Sequence, residues 1–287
     1  MKVLNLCSND YANMSHENAK ALRSIGIDCL DAKLYRHNFK YKTESVSTTY
    51  QQIQQVVKHY DVIQIFHTDK EILRHVKMGK AKKIIAYHTG TRYRQQPDFF
   101  DKVFEGCTIV TDQCEFINNG NMHYLAPHVE LSPLDKPKRG KLVLGHYPSN
   151  PYNKGTETIK QMLKSNHGDF EMRVDTKILS HELNLKRIGD CDIYVEMFNP
   201  EQDGKPYGCH GVTAFEASAL GCKVITNNIN LSAYTDVYGD SPFMIANTEK
   251  EFKSWIEKLK KKNVSLPNVY DKHNIKSTGK RILELIS

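Results

Sequence analysis

The stretch from Tyr207 to Thr226 reads YGCHGVTAFEASALGCKVIT and sets one carboxylate, Glu216, inside a run of small residues that ends in an apolar strand. Ala217, Ala219 and Gly221 put little side chain on this segment, so a helix here approaches a neighbour or a ligand closely. The glycine ahead of Cys222-Lys-Val-Ile-Thr226 reads as a helix stop followed by a buried parallel strand. Periodicity alone gives a helix beside a sheet with one exposed glutamate, and that glutamate is the polar group facing whatever lies over the helix.

Working outward, the same strand and helix alternation fills the chain. Strands are expected at Lys2–Leu6, Ile27–Leu30, Val62–Phe66, Lys83–Tyr87, Thr108–Thr111 and Met122–Leu125, with helices at His16–Ile25, Thr49–Lys58 and Lys70–Met78. After the proline- and charge-rich Leu131–Gly140 the alternation restarts: strands at Lys141–Gly145, Phe170–Val174 and Ile193–Val195, helices at Thr156–Lys164, His181–Ile188, Thr213–Leu220 and Glu249–Lys261. Alternation of this kind is the pattern of βαβ units, so the fold class is α/β with two domains, 1–135 and 141–268, followed by a terminal helical segment, 269–287. Two such halves in tandem imply a cleft between them, with ligands outside the carboxyl ends of the strands.

Composition narrows the class. The 287 residues are 39% hydrophobic and 25% charged, as in a globular protein with a substantial core, and no run of about 18 apolar residues predicts a membrane span. The start, MKVLNLCSNDY, turns polar too early for a secretory leader and predicts a cytoplasmic protein. Seven cysteines without a tight C-x-x-C pair read as reduced thiols, and Cys107, Cys114 and His123 lack zinc-site spacing, so no metal and no bound cofactor are predicted. A formal charge of +7 suits a phosphate-rich partner without choosing among nucleic acid, anionic membrane and diphosphate.

A second stretch, GHYPSNPYNKGTETIKQML at 145–163, carries an anion-binding pattern. Lys154 supplies a mobile positive charge, Gly155 permits close backbone approach, and the first amides of the helix at Thr156 can point at a phosphate. In the first half, Ala86–Arg94 follows an apolar strand and puts His88 and Gly90 at a strand end with Arg92 and Arg94 nearby. His67 after Val62–Phe66 and Asn9-Asp10 after the first strand occupy parallel positions.

The Glu216 and Lys154 stretches together resemble the retaining glycosyltransferases of the GT-B fold, the large "glycosyl transferases group 1" family that includes sucrose and glycogen synthases. That resemblance implies two Rossmann-like α/β/α domains facing across a cleft: an N-terminal acceptor-side domain, a C-terminal nucleotide-sugar domain, and a last helix crossing back to the first. It implies transfer of a hexose or pentose from a nucleoside-diphosphate sugar to an acceptor hydroxyl with retention, without a metal. Lys154, His88 and Glu216 take the catalytic roles: Glu216 accepts hydrogen bonds from the ribose, and His88 lies near the transferred sugar. Donor contacts extend to Ser149, Gly155, Gly208, Cys209, His210, Gly211, Val212 and Thr213; Asn9, His67, Gly90, Arg92 and Arg94 contact acceptor or phosphates. Relatives carry a second glutamate where this chain has Gly208, so backbone amides at Cys209–Val212 are expected to serve there. Glu196 is the other carboxylate at hand, although a long polar loop separates it from the helix.

The chain is short for this fold, like compact phage or virus-type members, which would place it in the host cytoplasm. Two acceptors stay open: a glycan, and a hydroxymethylated base in DNA, for which Lys40-Tyr-Lys42, Arg92-Tyr-Arg94 and Lys136–Lys141 are the basic segments. Outside the enzyme class, a non-catalytic nucleotide- or nucleic-acid-binding protein is the alternative. No G-x-G-x-x-G follows the first strand, which argues against a dehydrogenase.

Overall fold

The computed structural model describes residues 1–117, 122–164, 168–261 and 264–287. In chain order the elements are β1 (Lys2–Asn9), α1 (Met14–Arg23), β2 (Asp28–Tyr35), β3 (Val46–Ser47), α2 (Tyr50–Val56), β4 (Val62–Ile65), α3 (Lys70–Met78), β5 (Ile84–Tyr87), α4 (Gly90–Gln95), α5 (Pro97–Val103), β6 (Thr108–Thr111) and β7 (Met122–Tyr124). There follow β8 (Leu142–His146), α6 (Pro151–Lys154), α7 (Thr156–Leu163), β9 (Phe170–Val174), α8 (His181–Gly189), β10 (Ile193–Val195), β11 (Glu201–Gln202), β12 (Lys205–Pro206), α9 (Val212–Ala219) and β13 (Lys223–Thr226). The chain closes with α10 (Leu231–Tyr238), β14 (Met244–Ile245), α11 (Glu249–Lys260), α12 (Val269–Lys272) and α13 (Ile275–Ile286). Among the described residues no helix is long and apolar enough to cross a membrane.

The chain divides into two units, Met1–His128 with His273–Ser287, and Val129–Lys272. The first is built on a parallel sheet of order β3-β2-β1-β4-β5-β6-β7, with Leu4 of β1 beside Leu30 on one side and Ile63 on the other. Strand alternation sends Val3 and Cys7 to one face, where they pack with Leu22 of α1 and Ile282 and Ile286 of α13. Leu4 and Leu6 go to the other face, with Ile53 of α2 and Ile72 and Val76 of α3. A sheet covered on both faces explains why its strands read as apolar runs.

The second unit has a parallel sheet of order β14-β13-β10-β8-β9. One of its faces buries Leu144, Val195 and Ile225 with Ile159 of α7 and Phe252 and Ile256 of α11. Helix α9 buries Ala214, Phe215, Ala217 and Ala219 and packs on β13, so its small residues serve helix-to-sheet contact.

Each sheet has one point where the winding reverses: between β1 and β4 in the first, between β8 and β10 in the second. Crevices at the carboxyl ends of such neighbouring strands are where open α/β sheets bind ligands. The residues just beyond them are Asp10 and Phe66-His67 in one unit, Tyr147 and Glu196 in the other.

Three of the departures from the sequence expectation concern β2, the loop after β10 and the terminal helix. Strand β2 runs to Tyr35 rather than Leu30, because its inward positions include Asp31, buried by bonds from His16 Nδ1 at 2.9 Å and Arg23 at 3.0 Å. The loop after β10 contains the β11–β12 hairpin. The single terminal helix expected from Tyr270 onward is broken at His273-Asn274, where the Asn274 side chain caps α13 by accepting from Ser277 N at 2.9 Å.

Candidate active site

In the second unit, β8 ends at His146, whose ring ties three elements together. Nδ1 lies 2.7 Å from the carbonyl of Val195 and Nε2 2.9 Å from Thr156 Oγ1. A carbonyl only accepts, so Nδ1 carries the proton and Nε2 accepts from the threonine. Burial pushes the His146 pKa down to about 4, which keeps the ring neutral and the start of α7 locked to the ends of β8 and β10.

Beyond His146, Ser149 and Asn150 are exposed, and Asn150 caps α6 from its side chain. Lys154 ends α6 and Gly155 follows with φ 67°, a left-handed turn in which a Cβ would come 1.9 Å from the carbonyl oxygen of Phe198. This turn directs the Lys154 ammonium onto Oε1 of Glu196, in contact distance. Glu196 is 2% exposed, and its Oε2 accepts from Thr226 Oγ1 at 3.1 Å. Burial works against the charged lysine, but Glu196 outweighs it and raises the Lys154 pKa. The amide end of α9 closes the cluster: a Cβ on Gly211 would meet Glu196 Oε1 at 2.4 Å and Lys154 Nζ at 3.2 Å, so this position holds backbone only. Lys154, Glu196, Gly211 and Thr226 therefore form one cluster at the reversal point of the second sheet. The long loop after Phe198 does not keep Glu196 away, because the carboxylate belongs to the strand end and not to the loop.

Gly208 has φ 116°, and a Cβ there would lie 2.0 Å from Nδ2 of Asn227. That amide is held by Tyr207 O at 2.8 Å and by Asn199 N on its Oδ1 at 2.9 Å, so no side chain fits at 208. Cys209 and His210 are buried; His210 Nε2 pairs with Asn228 at 3.2 Å and its ring packs among Tyr234, Phe243 and Phe215. The 208–211 segment therefore presents no side chain at its surface: two of its residues are glycines and the other two are buried. Val212 and Thr213 begin α9. Glu216 lies four residues into that helix, about 6 Å along its axis from the first residue. Its Oε1 is 2.6 Å from Nε2 of His181, the first residue of α8, and the two side chains are 14% and 29% exposed. The sequence reading did not single out His181; its one signal was a histidine opening a helix directly after the β9 loop.

In the first unit, Asp10 is buried and accepts from the amides of Ser15 and His16 at 2.9 and 3.1 Å. His67 Nε2 stands 3.3 Å from the same carboxylate and Nδ1 3.1 Å from Thr89 Oγ1, while Arg92 donates to the His67 carbonyl at 3.4 Å. Ala12, Asn13, His67 and Thr68 all hold left-handed φ between 54° and 64°, so strained backbone gathers around this group. Asn9 ends β1 and Gly90, φ 64°, begins α4. His88 is fully buried, stacked on Tyr93 at 4.5 Å and edge-on to Phe104 at 4.9 Å, and neither ring nitrogen has a hydrogen-bond partner among the described residues. Burial pushes its pKa down to about 4. Arg94 pairs with Glu115. The first unit thus brings Asn9, Asp10, His67, Gly90 and Arg92 to one sheet edge and sets His88 beneath it.

No protein-family model and no curated protein matches the chain. Solved structures do. OtsA in its apo form aligns over 100% of this chain and 99% of its own, with a TM-score of 0.59 and 9% identity. An alpha-glucosyltransferase in complex with UDP and a 13-mer DNA containing a HMU base aligns over 99% of both chains at 0.57 and 9%. AviGT4, a glycosyltransferase involved in avilamycin A biosynthesis, aligns over 100% of this chain and 97% of its own at 0.56 and 10%. At such identities the likeness is one of fold, and the chain has the two Rossmann-type units of the GT-B fold.

Proposed function

We propose that the chain is a glycosyltransferase that binds a nucleoside-diphosphate sugar in its second unit and moves the sugar to an acceptor hydroxyl with retention of configuration. The observation that carries this is the cluster at the β8/β10 reversal point, where Lys154 meets the glycine-lined amide end of α9, with Glu216 one turn further along the same helix. A cation with helix-terminal amides suits a diphosphate that gains negative charge as it leaves. Glu216, exchanging its His181 partner for ligand, accepts from the ribose hydroxyls. The acceptor oxygen bonds to the anomeric carbon as the bond to the diphosphate breaks, and the acceptor proton passes to the departing phosphate oxygen. The full-length likeness to glycosyltransferases, one holding UDP, supports the same reading. Asn9, His67, Gly90 and Arg92 are assigned to acceptor or phosphate; His88, enclosed by Tyr93 and Phe104, is assigned to the support of the strand end that carries them.

A glycan is the first acceptor reading. A hydroxymethylated base in DNA is the second, favoured by residues 36–42, where His37, Phe39 and Tyr41 form a ring cluster with centroids 4.7 to 6.1 Å apart and the interleaved Arg36, Lys40 and Lys42 are exposed. Aromatic faces between basic side chains suit stacked bases on a phosphate backbone. The test is a mass-spectrometric panel of UDP-, GDP-, ADP- and dTDP-sugars with glycans or hydroxymethylated DNA. Release of diphosphate with a hexose or pentose mass gain on one acceptor is expected, and Glu216→Ala should abolish it. Donor binding without transfer would favour a non-catalytic nucleotide-binding protein, and absence of nucleotide-sugar binding would overturn the assignment.

A further inference from the structure

Lys154 and Glu196 are unequal partners. The lysine side chain is 25% exposed and the carboxylate 1%, so the lysine is the more accessible partner of the two. Both carboxylate oxygens are occupied, one by Lys154 and the other by Thr226 Oγ1. The backbone of Gly211 packs directly against the first. A buried carboxylate that loses its cation is left uncompensated in a low-dielectric setting, which costs far more than the pair itself contributes. Any diphosphate bound at Lys154 therefore brings negative charge up to a carboxylate already there, and draws on the cation that compensates it.

Resting on the donor-site reading above, we infer that Lys154 is exchanged between Glu196 and the ligand. The diphosphate takes the ammonium, and the Glu196 Oε1 so vacated accepts a hydrogen bond from a hydroxyl of the donor's sugar. No covalent bond changes. Glu196 is thereby a specificity-determining residue that distinguishes a nucleoside-diphosphate sugar, which supplies both partners, from the bare nucleoside diphosphate, which supplies only one. After transfer the sugar is gone, Glu196 reclaims Lys154, and the spent nucleotide is weakened in place. Gly211 fits this role, since a Cβ there would crowd the Glu196 oxygen at 2.4 Å and the Lys154 nitrogen at 3.2 Å, the two atoms that must part.

The experiment is calorimetric titration of the intact protein with matched pairs, UDP and UDP-glucose, GDP and GDP-mannose, ADP and ADP-glucose. For the pair that binds, the sugar nucleotide should bind at least about tenfold more tightly than the diphosphate. Glu196→Gln keeps the shape and removes the charge. It should tighten the bare diphosphate by about tenfold and bring the two affinities within about threefold of each other. Equal affinities in the unaltered protein, or an unchanged ratio in Glu196→Gln, would overturn the exchange while leaving the donor site intact. The unaltered protein decides the matter if the variant does not fold. Binding of none of the pairs would overturn the donor-site reading itself.

Discussion

His88 shows how one buried side chain separates packing from chemistry. Its folded pKa of about 4 lies below the ordinary histidine value near 6.5, so between those values the unfolded chain takes a proton that the folded chain refuses. The resulting stability is complete above pH 6.5 and is lost as the pH falls toward 4. At pH 5 this residue alone lowers stability by about 2 kcal/mol relative to pH 7.5. His88→Phe, which keeps the stacking on Tyr93, is expected to remove that part of the acid sensitivity in urea denaturation at the two pH values. An unchanged pH dependence would assign the acid sensitivity elsewhere. Loss of transfer in a variant that folds and is stable would mark His88 as a ligand contact as well. The sequence located His88 at a strand end but could not reveal its depth, which depends on Tyr93 and Phe104 closing over it from α4 and the turn after α5. In the same way Glu216 was legible and its partner His181 was not, because the pair joins two helices 35 residues apart in sequence.

At the scale of elements, helices α1 and α13 meet at a contact too close for a side chain. A Cβ on Gly279 would lie 2.2 Å from the carbonyl oxygen of Ala21, and that obstacle is backbone. Gly279→Ala is therefore expected to push α13 off α1 and lower stability by about 1 to 3 kcal/mol, whereas Lys280→Ala, exposed on the same helix, leaves it nearly unchanged. Thermal denaturation of the two variants compares them directly, and equal melting temperatures would mean that the helices slide apart without cost. The amphipathic spacing of Ile282 and Ile286 made this helix legible in sequence; its seat on α1 was suggested only by family resemblance. The strands were legible where apolar residues dominate the run, as in β1 and β4, each of which buries one uncharged amide, Asn5 and Gln64. They were obscured where a polar side chain is buried in compensation, as Asp31 is in β2. The role of Glu196 is hidden in sequence by the long loop between it and α9, whereas parallel pairing of β10 with β8 and β13 brings Lys154 and Thr226 to it.

For the whole molecule, the second unit is one continuous segment and the first is not. The first unit's core includes Ile282 and Ile286, which lie beyond the last residue of the second unit. A chain ending at Lys272 should thus lose stability in the first unit while the second keeps its own. Hydrogen exchange on the truncated chain checks this: fast exchange in β1 and β4 with α9 and β13 protected as in the full chain is the expected pattern. Protection of β1 and β4 equal to that of the full chain would show that α13 adds nothing to that core.

The late return of α13 also has a consequence in time. Translation proceeds from the amino terminus, so residues 1–128 emerge with an apolar sheet face that its own segment does not fully cover. The missing cover arrives only after the 144 residues of Val129–Lys272, on the order of 7 to 30 s later at about 5 to 20 residues per second. During that interval the nascent first unit is a client for chaperones and a hazard on crowded ribosomes, and the second unit is the first part able to mature.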